Sequence, residues 1–152
     1  MMLHRFSQFC FGISAIQRSI QKIERDEMES RGFKGAFAQY LVVMVQYPDG
    51  VTASQLCDLC DRDKAAVSRA VTEMEERGLI TRQGKSYRAR LFLTPLGEET
   101  ARFVCSRAVV AVAEAGKGLS EEERAAFYRV LERIAANLQE ICKDGLPDLR
   151  GE

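Results

Sequence analysis

The segment Val51–Thr94 constrains the fold more than any other, because it carries start and stop signals for two short helices followed by a β-hairpin. Thr52 and Gln55 have the spacing of a capping box, in which each side chain binds a backbone N–H that the first turn of a helix leaves free. Asp63 is a preferred N-cap residue for the second helix, and Gly78 is a natural residue to end it. These signals predict a helix-turn-helix.

The second helix of this motif has one apolar and one polar face. Its apolar residues recur at helical spacing and predict the buried face: Val67, Ala70, Val71 and Met74. The opposite face combines two cations, two hydroxyl groups and one small residue: Lys64, Ala65, Ser68, Arg69 and Thr72. Such side chains can bind phosphates and base edges in the DNA major groove, and we expect Glu73, Glu75 and Glu76 to face away from DNA. Since every surface helix has a polar face, this helix alone leaves DNA binding and plain solvation equally open.

The predicted hairpin favours DNA. Its strands span Leu79–Gln83 and Arg88–Thr94 around a turn at residues 84–87. From residue 82 to residue 94 it holds no acidic residue and four basic ones: Arg82, Lys85, Arg88 and Arg90. A basic hairpin directly after such a helix is typical of a wing that reaches the minor groove or the phosphate backbone. A winged helix that binds only another protein is the alternative, although its wing need not be basic.

The charge distribution supports the same interpretation. The 152 residues include 22 basic and 22 acidic ones, and this balance argues against indiscriminate binding to nucleic acid. Residues 61–94 nevertheless hold eight basic and five acidic residues, whereas residues 120–152 hold five basic and eight acidic ones. Positive potential should therefore concentrate on the winged unit.

The flanking segments predict long amphipathic helices. Apolar residues at three- and four-residue steps run from Phe6 to Ile23 and from Phe127 to Ile141. Further helices are expected at residues 34–47, ended by a turn at residues 48–50, and from Pro95 to about Ala115, capped by Thr94. The apolar stripes exceed what one copy can bury, so the sequence favours a homodimer over a monomer whose helices pack on the winged unit.

The run KAAVSRAVTEMEERGLITR, followed by a short wing and LFLTPLGEE, resembles the multiple-antibiotic-resistance regulator (MarR) family of winged helix-turn-helix transcription regulators. The sequence differs from the family's pattern at Asp61 and Arg62, where the family usually has a glycine and an apolar residue. It also lacks the acidic residue that the family usually has near the wing tip.

The resemblance and the residue patterns together predict a mainly α fold with a small β-hairpin. One domain, residues 1–152, would combine a winged helix-turn-helix lobe at about 34–94 with dimerisation helices at about 2–30, 95–115 and 120–144. The expected function is a cytoplasmic, sequence-specific regulator on double-stranded DNA with a pseudo-palindromic operator. The resemblance further implies a ligand-responsive repressor whose small aromatic or phenolic effector binds between the lobes.

Other chemistry has little support. Cys57 and Cys60 have the spacing of a redox or zinc pair, but no second pair follows and His4 is the only histidine, so packing is the better interpretation. Cys10 lies in the first helix, where some MarR-type regulators sense oxidants, and it is the candidate for a thiol-based redox sensor. No set of catalytic residues, cofactor motif or membrane span is recognisable, so we expect neither an enzyme nor a cofactor.

Overall fold

The computed structural model describes residues 2–84 and 88–146, with the side chains of all these residues except 2 and 3. Its elements follow one another in this order: α1 Met2–Ser30, a 3-10 turn Gly35–Phe37, α2 Ala38–Met44, β1 Val51–Thr52, α3 Ala53–Cys60, α4 Lys64–Glu76, β2 Ile80–Gln83, β3 Arg90–Leu93, α5 Pro95–Ala115 and α6 Glu121–Asp144. The mainly α fold with a winged helix-turn-helix is therefore confirmed. The chain divides into two compact units, residues 1–112 and 113–152. The extent of a single domain stays a prediction.

The helices of the motif begin where their caps predict. The Thr52 hydroxyl accepts from the backbone N–H of Gln55 at 3.2 Å, and the Gln55 side chain accepts from the backbone N–H of Thr52 at 2.9 Å. A carboxylate oxygen of Asp63 accepts from the backbone N–H of Ala66 at 2.8 Å. These bonds satisfy N–H groups that have no partner within their own helix. Both caps could be predicted from the sequence because each depends on residues only three positions apart.

The sheet has one strand more than the predicted hairpin. β2 and β3 form the hairpin, with Ile80 opposite Leu93 and Gln83 opposite Arg90. β1 pairs with the other edge of β3, with Val51 opposite Leu91, so the order is β1-β3-β2 and all pairs are antiparallel. Two residues are too few to show the alternation that marks a strand in sequence, which is why β1 was not predicted.

The predicted helix from Lys34 to Tyr47 is shorter and interrupted. A 3-10 turn occupies Gly35–Phe37, and the α-helical part spans only Ala38–Met44. A Cβ atom at Gly35 would lie 2.0 Å from Cγ of Arg25, so the backbone at this turn packs directly against α1. Contact with a distant helix therefore decides the backbone here, and local periodicity could not reveal it.

The hydrophobic core of residues 1–112 lies between the winged elements and the last turns of α1. It includes the predicted inner face of α4, namely Val67, Val71 and Met74, while Ala70 is half-buried. The largest fully buried side chains come from most elements of this unit: Met28, Leu41, Leu56, Met74, Leu79, Ile80 and Leu91. α4 is thus anchored by one face only, which leaves the other free for a ligand.

The first turn of α5 touches the strand segment that follows α4. The backbone N–H of Thr94 donates to the Leu79 carbonyl at 3.0 Å, and the Thr94 hydroxyl donates to the Gly78 carbonyl at 2.6 Å and accepts from the N–H of Gly97 at 3.0 Å. A Cβ atom at residue 97 would lie 1.9 Å from the Leu79 carbonyl oxygen, so only glycine permits this approach.

The second unit holds α6, which the predicted Ser120–Glu123 capping box starts. Arg124 donates to the Gly116 carbonyl at 2.8 Å and fixes the turn before the helix. No residue of α6 is buried. Its apolar stripe includes Phe127 and Leu138, which are 47% and 46% exposed. A helix with such a stripe needs a partner surface to be stable in water.

Candidate nucleic-acid interface

The predicted recognition face of α4 is accessible along its length. All of its residues are exposed: Lys64, Ala65, Ser68, Arg69 and Thr72. They lie opposite the buried side chains of Val67, Val71 and Met74, which hold the helix against the core. The structure therefore brings these five side chains to one surface, with their orientation set by packing behind them.

Asp63 limits what the start of α4 can bind. Its carboxylate accepts from the backbone N–H of Ala66, and this hydrogen bond is the main cause that holds the pKa of Asp63 below its ordinary value. The carboxylate therefore remains charged and offsets the positive end of the helix dipole. A phosphate approaching this terminus would meet an occupied N–H group, so we expect contacts to come from the side chains of α4.

The acidic residues at the end of α4 correct one expectation. Glu73 and Glu76 line the same shallow depression as Ser68, Arg69 and Thr72, so they share the recognition face. The expectation that they face away from DNA is wrong, because residues four and seven positions after Arg69 fall on the same side of a helix. Lys34 pairs with Glu73 at 2.7 Å. DNA is therefore expected at the N-terminal half of α4.

The turn between α3 and α4 keeps a left-handed residue without glycine. Asp61 has φ +50° and is the only non-glycine residue with positive φ among the residues that the structure describes. The N–H of Arg62 donates to the Cys57 carbonyl at 3.0 Å and closes the turn. Aspartate tolerates this conformation better than most residues. The turn thus holds a left-handed residue at Asp61 without a glycine.

The wing cations differ in their surroundings. Arg82 pairs with Glu75 of α4 at 3.3 Å. Arg90 donates through one nitrogen to the carbonyl oxygens of Asp49 and Gly50, at 2.8 and 3.2 Å. Arg88 is exposed, whereas Lys85 lies outside the described residues. Sequence reasoning grouped all four by charge, but Arg82 and Arg90 also hold the wing to neighbouring elements.

The cysteines show no metal centre among the described residues. Cys57 and Cys60 are half-buried against the core, which confirms the packing interpretation. Burial is the main cause that raises the pKa of the Cys60 thiol, and it does the same for Cys105 in α5. A raised pKa lowers the thiolate fraction and hence the reactivity. Cys10 is half-buried on α1 and stays a candidate.

A cavity of about 290 Å³ lies beside the wing. It is formed by the end of α2, by β3 and by the start of α5, and it is lined by Met44, Val45, Tyr47, Pro48, Phe92, Leu93, Glu98 and Arg102. Most of this lining is apolar or aromatic. Arg102 and Glu98 supply the charged groups, 3.8 Å apart.

Sequence reasoning missed the contacts around residues 31–34. Arg77, at the end of α4, donates to the Gly32 carbonyl at 2.7 Å, across 45 sequence positions. Arg31 pairs with Glu99 across 68 positions. No local pattern marks such contacts.

None of the helices in residues 2–84 and 88–146 combines the length and the apolar composition that a membrane span requires.

Comparison with known proteins agrees with this geometry. The MarR family model matches residues 31–90, the segment that contains α2, the helix-turn-helix and most of the wing. No curated protein is similar enough to match.

Solved structures are similar over most of the chain. A MarR transcriptional regulator from Methanosarcina mazei Go1 is 21% identical, with a TM-score of 0.78 over 89% of this chain and 92% of that one. A MarR family regulator from Listeria monocytogenes, solved in complex with a 26mer DNA, is 23% identical, with a TM-score of 0.73 over 91% and 96%. The transcriptional regulator SlyA is 24% identical, with a TM-score of 0.74 over 87% and 94%. At these identities the likeness concerns the fold.

The family model covers the segment that carries KAAVSRAVTEMEERGLITR, and the fold of most of the chain is shared with solved MarR regulators. The resemblance seen in the sequence is therefore confirmed. Residues 31–90, which include the helix-turn-helix, match the MarR family model.

Proposed function

We propose that this protein is a sequence-specific regulator of transcription that binds double-stranded DNA. The observation that carries the proposal is the exposed face of α4, where Lys64, Ser68 and Arg69 project from a helix whose other face is buried in the core. A rigidly held helix with donors on its open face suits the major groove. The basic wing would contact the adjacent backbone or minor groove through Arg82, Lys85, Arg88 and Arg90.

The proposed active form is a homodimer, with residues 1–152 acting as one MarR-like domain. The exposed apolar stripes of α1 and α6 support it: on α1, Phe6, Phe9 and Ile16 are 64%, 40% and 52% exposed. A second copy of the chain would cover these stripes and place two α4 helices about one DNA turn apart. The operator would then be a pseudo-palindrome.

The cavity beside the wing is the proposed effector site. Its volume of about 290 Å³ lies at the lower end of the range for ligand pockets, so a single-ring molecule would fit. Tyr47 and Phe92 offer aromatic surface, and Arg102 offers a cation for a carboxylate or phenolate. Binding there would change the contact between α5 and the wing, and release of DNA would make the protein a ligand-responsive repressor.

Enrichment of bound duplexes from a random-sequence pool tests the DNA proposal. We expect one pseudo-palindromic sequence to dominate after several rounds. Its affinity should exceed that for an unrelated duplex of equal length by at least about 10³-fold at physiological salt. If no sequence is enriched and raising the salt concentration abolishes all binding, the alternative of a protein-binding winged helix is favoured.

A further inference from the structure

Residues 31–34 connect two parts of the first unit that are not neighbours in sequence. This connecting segment follows α1 and precedes the 3-10 turn at Gly35–Phe37. Its side chains and backbone contact α5 on one side and α4 on the other. Since α4 is the proposed DNA-reading helix, the connecting segment lies between that helix and α5.

Arg31 makes the contact with α5. Its guanidinium pairs with Glu99 at 2.6 Å and lies 4.8 Å from the centroid of the Phe103 ring. The Arg31 side chain is only 27% exposed, so water screens this pair less than a fully exposed one. A cation over an aromatic face adds to the attraction. Arg31 therefore holds the connecting segment to two successive turns of α5.

Two residues make the contact with α4. The Arg77 guanidinium donates to the Gly32 carbonyl at 2.7 Å and lies 5.2 Å from the centroid of the Phe33 ring. Lys34 pairs with Glu73 at 2.7 Å. Both contacts fall on the last turns of α4, beyond the part of the helix expected to enter the groove. They fix the C-terminal end of the helix.

The connecting segment itself is held in one conformation. The N–H of Gly32 donates to the Glu29 carbonyl at 2.9 Å and the N–H of Phe33 donates to the Met28 carbonyl at 3.2 Å, while Gly32 has φ +78°. This bonding pattern closes the end of α1. Met28 is fully buried, so the closed end is anchored in the core. A displacement of the backbone at Arg31 should therefore be transmitted to Gly32 and Phe33 with little reduction in amplitude.

We infer that Arg31 and Arg77 act in series, through the connecting segment, to set the orientation of α4 against α5. They are positioning residues for sequence-specific DNA binding, although neither lies on the recognition face. The inference rests on the proposed function, because α4 needs a fixed orientation only if it reads a fixed DNA sequence. It goes beyond the site itself, since charge on the recognition face and wing does not require this link.

A double-mutant cycle on specificity tests the inference. Arg31→Gln, Arg77→Gln and the double variant would be compared with the wild type for binding to the duplex enriched by the wild type and to an unrelated duplex of equal length. The readout is the ratio of the two affinities by competition fluorescence anisotropy, since loss of a cation alone weakens both duplexes together. Lys22→Gln, which removes one exposed cation that pairs with Asp26 within α1, is the matched control.

Each single variant is expected to lower the ratio by between about threefold and thirtyfold, with Lys22→Gln unchanged. The double variant should lower the affinity ratio no further than the single variant with the larger loss. If the two residues act in series, breaking the second contact has no further effect once the first is broken. Light scattering and the melting temperature show whether each variant stays folded and associated. If Arg31→Gln does not fold, Glu99→Gln breaks the same link from α5.

Two results would overturn the inference. The first is a ratio that the single variants leave unchanged, which would mean that these contacts do not position α4. The second is a double variant whose loss is the product of the two single losses, which would mean that the residues act independently. If the wild type enriches no sequence at all, the proposed function fails first and the positioning role with it.

Discussion

Arg90 of the wing donates to the carbonyl oxygen of Asp49 at 2.8 Å, joining the middle strand of the sheet to the turn before β1. The same nitrogen lies 3.2 Å from the Gly50 carbonyl. A cation that sequence reasoning assigned to DNA thus also satisfies two backbone acceptors of the fold. Its removal should be visible in the absence of DNA.

We expect Arg90→Ala to lower the free energy of unfolding by about 1–2 kcal/mol, because hydrogen bonds from a charged donor exceed neutral ones. Arg82→Ala is the matched control. It breaks the exposed pair with Glu75, which is worth less than about 1 kcal/mol. Urea unfolding followed by circular dichroism measures both. If the two variants lose the same free energy of unfolding, the carbonyl contacts of Arg90 stabilise the fold no more than an exposed ion pair does.

Arg69 and Arg88 should differ in how they bind DNA. Arg69→Ala is expected to weaken binding to the enriched duplex by about 1–3 kcal/mol and to spare unrelated DNA, as loss of a base contact does. Arg88→Ala should weaken both duplexes alike and reduce the salt slope by about one, as loss of a phosphate contact does. Titrations from low to moderate salt separate the two. If neither variant changes affinity, α4 and the wing do not bind DNA.

Association should depend on the apolar stripe of α6. A mass of about twice 17.1 kDa is expected from light scattering, falling towards 17.1 kDa for Leu138→Asp. Leu138 is 46% exposed in the single chain, so a charge there costs little unless a partner covers it. Gln139→Glu, a charge on an exposed position beside the stripe, is the control. A wild type that stays monomeric at all concentrations contradicts the proposal.

The cap at Asp63 predicts a dependence of stability on pH. Its folded pKa is lowered by the N–H of Ala66, so its contribution is complete above the unfolded pKa of about 4 and is lost as the pH falls through the folded pKa. Asp63→Asn keeps a capping oxygen without the charge. The melting temperature of the wild type should exceed that of this variant at neutral pH, and the gap should close in acid. Asp63→Ala, which has no cap, should melt lower than both throughout.

Peroxide should oxidise Cys10 before Cys60 and Cys105. Burial raises the pKa of the latter two thiols, which reduces the thiolate that reacts with oxidant. Mass spectrometry of peptides after brief treatment measures the order. A sensing role further requires that oxidation release DNA from the wild type and not from Cys10→Ser. Equal release from both proteins would remove that role.

Sequence reasoning succeeded where the cause is local. Thr52 with Gln55 and Ser120 with Glu123 lie three positions apart, and both form the predicted capping boxes. It also placed the buried and open faces of α4, because one helix period determines them. The MarR resemblance extended these predictions to the order of elements over the whole chain.

It was less successful where residues far apart in sequence meet. Val51 joins the sheet because it pairs with Leu91. The 3-10 turn begins at Gly35, where the side chain of Arg25 packs against the backbone. The position of Glu73 on the recognition face was within reach of helix geometry, but its pairing with Lys34 was not. Charge alone could not separate Arg82 and Arg90, whose partners come from other elements.

The contact between Gly97 and the Leu79 carbonyl also bears on how the proposed effector site would act. With no side chain between them, the backbones of α5 and of the segment entering β2 have no compressible layer to absorb a small movement. Glu98 and Arg102, in the next turns of α5, line the cavity together with Phe92 of the wing. Since this contact has no side chain that could repack, a ligand bound in the cavity would have to shift the backbone of α5 or of the segment entering β2.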